Sequence, residues 1–271
     1  MPSHRRRIHR SRRSRKPLLI VGFLVAIAIV AIIVVYSTST AACTLTIYTV
    51  GQGNVVPSNS TYSNGISVDL KAVSASNWTF YRWSGDVSSS DNTSITMNGN
   101  KAVTAIFIQN NNTVRLVTSM GNILIQLRDD MPITTGNFKN LTEHGIYDNT
   151  TFHRVVAGFV IQGGDPTGTG YGDPSIPSIQ DEFTSNNKNE RGTIAMANQG
   201  SDHPNSGNSQ FFINLVYNLE LDTLHPVFGK VVDGMDVVDA IAHVEVVADP
   251  ISGQISRPSE DVIIIKAELL G

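Results

Sequence analysis

Phe152-His153-Arg154-Val155-Val156-Ala157-Gly158-Phe159-Val160-Ile161-Gln162-Gly163-Gly164-Asp165 sets one arginine, two phenylalanines and one amide in a short apolar run closed by a Gly-Gly-Asp turn. Arginine is seldom buried unless something pairs with it. The apolar residues around Arg154 therefore point to a greasy groove with a single, permanently charged donor. Such a groove suits an apolar ligand that carries a carbonyl.

Outward from this run the chain reads as strands with two helices. Val114–Thr118 and Asn122–Leu127 flank the Met120-Gly121 turn as a hairpin. Pro132–His144 is expected to be helical, with Pro132 near its start and Gly145 just past its end. Gly234–Ala242 reads as a second helix and Asp261–Leu269 as a last strand. Many strands and two helices fit a closed β-barrel capped at its ends.

Three further segments follow in order: Gly192-Thr193-Ile194-Ala195-Met196-Ala197-Asn198, Ser209-Gln210-Phe211-Phe212-Ile213 and His225-Pro226-Val227-Phe228-Gly229-Lys230. With Phe152–Asp165 they make residues 113–271 resemble a cyclophilin-type peptidyl-prolyl isomerase over nearly their whole length. The resemblance implies a mainly β domain, an eight-stranded antiparallel barrel with two capping helices and an active site on its outer face. It also implies proline-containing polypeptides as partners. Turning an X–Pro bond breaks no covalent bond, so no metal, cofactor or nucleophile is expected; the enzyme need only bind the twisted amide better than either planar form.

By that resemblance Arg154 is the guanidinium that donates to the substrate beside the proline. Phe159, Val160, Phe212 and Leu221 line the proline pocket. Gln162 hydrogen-bonds Arg154 or the substrate carbonyl, and Gln210 supports the same wall. Ala197 and Asn198 offer backbone groups to an added extended segment, and His225 flanks the pocket. Arg154, Gln162, Phe159 and Phe212 are thus the expected catalytic set, with Val160, Ala197, Asn198, Gln210, Leu221 and His225 binding substrate. Asp165 and Gly163-Gly164 shape the turn. Glu220 stands where many eukaryotic members carry a tryptophan that helps hold cyclosporin. That argues against cyclosporin binding more than against proline binding. Val160 replaces a common methionine, and Ser206-Gly207-Asn208 reverses the usual Asn-Gly order.

Residues 44–108 read as a separate β-rich domain. Thr44–Val50 and Ile66–Ala72 alternate with period two, and Gly51–Gly53, Asn64-Gly65 and Asn98-Gly99 are turn signals. Phe80–Asp86 and Lys101–Phe107 complete a pattern similar to small surface-protein domains of bacteria and archaea related to internalin B repeats. Phe80 and Trp83 alternate along one strand and are expected in its core. Residues 37–43 read as a spacer and 109–112 as a polar linker.

Residues 1–17 hold eight of the chain's 20 lysines and arginines and no acid, leaving 12 bases against 23 acids beyond them, a net of −11. Leu18–Tyr36 follows as 19 uncharged residues, roughly 28 Å long as a helix and about the thickness of a bilayer's hydrocarbon core. Arginines on that flank alone keep residues 1–17 in the cytoplasm and place the rest outside. The expected protein is thus a single-pass membrane isomerase that assists folding of exported or surface proteins. Secretion after signal cleavage is the competing fate. A proline-peptide-binding or adhesive spacer module is the competing function. The arginine tail reads as a topology signal touching anionic lipid heads, and no nucleic-acid partner is expected. One cysteine, Cys43, excludes an intramolecular disulfide. Six sequons, at Asn59, Asn77, Asn92, Asn111, Asn140 and Asn149, are compatible with glycosylation after export.

Overall fold

The structure, a computed structural model, describes residues 42–271. The expected basic tail (1–17), membrane helix (18–36) and most of the spacer lie outside the described residues. Among the described residues no helix is long and apolar enough to cross a membrane.

The first unit has seven strands: β1 Ala42–Val50, β2 Gly53–Val56, β3 Ser60–Ser63, β4 Ser67–Ser74, β5 Trp78–Gly85, β6 Thr93–Thr96 and β7 Lys101–Gln109. One sheet has the order β3-β1-β7-β5, with β1 and β7 parallel; a smaller one has the order β2-β4-β6. Alternation in β1 and β4 sends Cys43, Leu45, Val68 and Leu70 inward, onto Trp83 and Phe107. Trp83 is fully buried and its ring lies 5.2 Å from that of Phe80, so the aromatic alternation is core. The two last residues of the expected spacer, Ala42 and Cys43, belong to β1.

The second unit runs β8 Thr113–Thr118, β9 Gly121–Leu127, α1 Pro132–Glu143, β10 Thr150–Thr151, β11 Arg154–Val156, β12 Val160–Gly163, β13 Thr193–Met196, β14 Phe211–Asn214, β15 Val227–Asp233, α2 Met235–Ala242, β16 Val246–Ala248, β17 Ile255–Pro258 and β18 Ile263–Leu270. Pro132 opens α1 because its missing N–H has no acceptor to lose there. Past Glu143 the chain leaves the helix at Gly145 (φ 68°), with the Gly145 and Ile146 amides closing on the Thr142 and Leu141 carbonyls.

Nine strands form one sheet, in the order β10-β18-β8-β9-β15-β13-β14-β12-β11. Every neighbouring pair is antiparallel. The two outermost strands, β10 and β11, are separated by Phe152 and His153 alone, so the sheet must curl until its ends nearly meet. This corrects the expected eight-stranded closed barrel. The short Thr150–Thr151 strand adds a ninth member, and a chain crossing with a single Thr151–Asp165 bridge joins the ends instead of a ladder. Inside the curl Phe138 stacks within 5.0–5.5 Å of Tyr147, Phe211 and Phe228, joining α1 to the sheet.

The units meet along a packed seam. The expected linker is not a free tether: Asn112 is 3% exposed and its side-chain amide donates to the Leu127 carbonyl and to Asp129. The Asn111 amide donates to the Leu270 carbonyl. Arg82 of β5 donates twice to Asp233 of β15, at 2.7 and 2.8 Å. A bidentate, partly buried pair of this kind contributes about 1 kcal/mol. A double-mutant cycle with Arg82→Ala and Asp233→Ala is therefore expected to show a coupling of about that size in urea unfolding; additivity of the two would refute it.

Candidate active site

Register assembles the site from five strands. Residues directly opposite one another share a sheet face, and Arg154 pairs with Gln162, Gln162 with Phe212, Phe212 with Ala195, and Ala195 with Val227. This row faces outward. The neighbouring row, Val155, Ile161, Ile213 and Ile194, faces inward and belongs to the main core. A one-residue slip would exchange the two rows. Alternation along the opening run thus separates a chemical face from a structural one.

Around the outer row lies a second apolar cluster: Val160, Ala195, Phe212 and Val227 are buried, with Phe159, Ala197 and Leu221 packed against them. Phe159 is delivered by the turn joining β11 to β12, where Gly158 takes φ 73°, a value costly for a side-chain-bearing residue. Leu221 comes from the short 3-10 turn Leu219–Leu221. His225 packs edge-on against Phe212 at 5.1 Å, and its Nδ1 lies 3.1 Å from the Met196 carbonyl.

Arg154 stands at the rim of this cluster, half-buried. Its guanidinium lies 5.8 Å from the Phe159 ring centre, and its Nε donates to Gln254 Oε1 at 3.3 Å. It forms no ion pair among the described residues. Burial pulls its pKa below the ordinary arginine value, though a guanidinium remains charged at any physiological pH. The terminal nitrogens are left for a ligand. Gln162 Nε2 donates to Gln210 Oε1 at 3.0 Å rather than engaging Arg154, and Gln210 Nε2 donates onward to the Gly170 carbonyl at 3.0 Å. That relay fixes which way each amide points.

The expected backbone wall is half available. The Ala197 amide is occupied by the Gln210 carbonyl (3.0 Å), while the Asn198 side chain donates to the Leu224 carbonyl (2.7 Å) and Asn198 lines the cleft. The cleft, about 430 Å³, runs between Gln162, Tyr171, Ala197, Asn198 and Gln210. A smaller hollow of about 200 Å³ lies beside Arg154, under Tyr171 and Gln254. All ten expected residues thus line one continuous face. Glu220 is exposed on the Leu219–Leu221 turn, outside the apolar cluster. Ala195, Val227, Tyr171 and Gln254 were not expected: strand register brings in the first two and loop folding the others.

Asp165, fully buried, holds the adjoining loop. Burial pushes its carboxyl up, and donors from Thr167, Gly172 and Gly170 outweigh this and hold it below its ordinary value. Gly164 (φ 81°) must be glycine, since a Cβ there would sit 2.7 Å from the Ser209 carbonyl oxygen.

His153 and His225 are both held neutral. Burial lowers the pKa of each from its ordinary 6.5; Asp165 partly offsets this at His153 and the Met196 carbonyl at His225. Neither His153 nitrogen has a partner among the described residues. The unfolded chain therefore takes up protons first as pH falls, so this part of the stability is complete above about pH 6.5 and is lost below it. Urea midpoints are expected to drop between pH 7.5 and 5.5, above the range where carboxylates titrate, and His153→Asn should flatten the drop. Equal slopes in wild type and variant would refute the assignment.

Comparison with known proteins identifies both units. Residues 113–269 match the family model for cyclophilin-type peptidyl-prolyl cis-trans isomerases, and residues 43–111 match the divergent InlB B-repeat domain. A peptidyl-prolyl cis-trans isomerase of Schizosaccharomyces pombe is 43% identical over 161 residues, 58% of this chain and 98% of that protein. A peptidyl-prolyl cis-trans isomerase-like 1 of Gibberella zeae is 40% identical over 57% of this chain and 93% of its own length. Among solved structures, a cyclophilin-type isomerase of Cryptosporidium parvum superposes with a TM-score of 0.54 at 31% identity, covering 59% of this chain and 98% of that one; the same protein has been solved in the presence of the dipeptide Ala-Pro. With the family model covering more than half of its length, the chain belongs to the cyclophilin-type peptidyl-prolyl cis-trans isomerases, and its curled β unit is the isomerase domain.

Proposed function

We propose that this isomerase works tethered to a membrane and facing outward, where it speeds X–Pro isomerisation in exported or surface proteins. The observation that carries the tether is the opening of the chain: eight basic residues, no acids, then 19 uncharged ones. The InlB-type module that follows supports an outward setting and acts as a mount between membrane and enzyme.

In the mechanism, the proline ring enters the apolar cluster over Phe212, walled by Phe159, Val160 and Leu221. An extended peptide lies along Ala197 and Asn198. Twisting the amide breaks its resonance, leaving a lone pair on the proline nitrogen and a less conjugated carbonyl. Arg154, charged and poorly hydrated, donates to the substrate at the proline and stabilises that state more than either planar one. Gln162, held by Gln210, supplies the second polar contact. No bond is made or broken and no proton is transferred, so the half-buried neutral His225 serves as a wall. With Glu220 exposed at the rim, cyclosporin is expected to bind poorly.

Protease treatment of intact cells tests the topology. Removal of residues 44–271 from a membrane-retained fragment is expected. Full protection refutes the outward setting, and recovery of the chain in the medium indicates secretion after cleavage.

A further inference from the structure

We infer that Gln254, on the hairpin formed by β16 and β17, is a positioning residue that aims Arg154 at the substrate. The inference rests on the role given above to Arg154.

A half-buried guanidinium without an acid beside it gains by swinging out to water. Two contacts oppose that motion. One is the Phe159 face, 5.8 Å from Cζ, which attracts the group without fixing its direction. The other is the Nε–H donated to Gln254 Oε1 at 3.3 Å. Holding Nε restricts the swing of the group and leaves its two terminal nitrogens without a hydrogen bond among the described residues. A carboxylate in place of Gln254 would hold the group equally well but neutralise the field that catalysis uses; a neutral amide oxygen holds it and leaves the charge intact.

The hairpin is built to present this residue. Asp249 Oδ1 accepts from the Ile251 amide and from the amide and hydroxyl of Ser252. The Gly253 amide closes on the Asp249 carbonyl, and the Asp249 amide on the Gln254 carbonyl. The β16–β17 register skips at Val247/Ala248, leaving Ser256 as an extra residue. Bulges of this kind turn a side chain in a new direction. β17 in turn packs against β11, the strand that carries Arg154.

Gln254→Met in the full chain keeps the length and removes the acceptor. It is expected to lower kcat about tenfold with KM nearly unchanged, to leave the melting temperature at the wild-type value, and to shift and broaden the Arg154 Nε–H resonance. Gln254→Glu should keep that resonance sharp yet also lower kcat, because the charge is now paired. A wild-type kcat in Gln254→Met, or an unmoved Nε–H resonance, overturns the inference. Wild-type protein without isomerase activity in the same assay instead overturns the catalytic reading itself.

Discussion

Arg154→Ala is expected to lower kcat/KM for a prolyl peptide by about 10²- to 10³-fold, the usual loss when a preorganised donor is removed from a developing charge. The melting temperature should stay close to wild type. Both halves follow from the same geometry. Arg154 forms no ion pair among the described residues and touches Gln254 and the Phe159 ring, so its removal strands no buried partner and relieves an uncompensated charge. Its terminal nitrogens contribute where a substrate sits, and preferential stabilisation of the twisted amide is the whole of this catalysis. Arg154→Lys keeps a positive charge but not the planar fork whose Nε Gln254 holds, so it should recover only part of the rate. A protease-coupled assay on an Ala-Pro peptide, run beside thermal unfolding, measures both. Wild-type turnover in Arg154→Ala would refute the assignment of the donor.

Much of this site is legible in the primary structure, for a physical reason. Strand alternation has a period of two, so a run such as Phe152–Gly163 declares which residues can share a face before any partner is known. Arg154, Gln162 and Val160 stand at even spacing and do share one; Val155 and Ile161 stand between them and enter the core. What alternation does not declare is which strands lie side by side. Ala195 and Val227 join the pocket only because β13 sits between β14 and β15, a long-range choice made by the curl of the sheet. The ninth strand is hidden in the sequence for a related reason: Thr150–Thr151 is too short to show a period, and it becomes a strand only because Ile263 and Ile264 run beside it. Gln254 lay outside reach altogether. It sits a hundred positions from Arg154 on an irregular hairpin, where no period marks it. The seam between the two units is hidden similarly, since the polar stretch Gln109–Asn112 reads as a linker although Leu127 and Asp129 satisfy its Asn112 side chain.

Phe212→Ala should behave in the opposite manner to Arg154→Ala, losing fold stability as well as function. Phe212 is 4% exposed, packed on Val160, Ala195 and Val227, with His225 edge-on at 5.1 Å. Removing a buried phenylalanine costs about 3 kcal/mol or more through lost transfer energy and the cavity left behind. The same ring is the floor on which the proline lies. Burying the three ring methylenes of proline is worth about 2 kcal/mol, so kcat/KM should fall roughly 30-fold, mainly through a raised KM because the ring is gripped in planar and twisted states alike. Phe212→Leu separates the two effects. It refills most of the volume and should recover most of the stability, while a branched side chain offers the proline a poorer floor than a flat ring. Binding and stability are thus coupled at Phe212 because one side chain closes a cavity from below and receives substrate from above. They are uncoupled at Arg154, which closes nothing. If Phe212→Ala raised KM without lowering the urea midpoint, the apolar cluster on the outer face would be a preformed hollow, not a packed extension of the core. If it lowered the midpoint with KM unchanged, proline would bind elsewhere on the sheet.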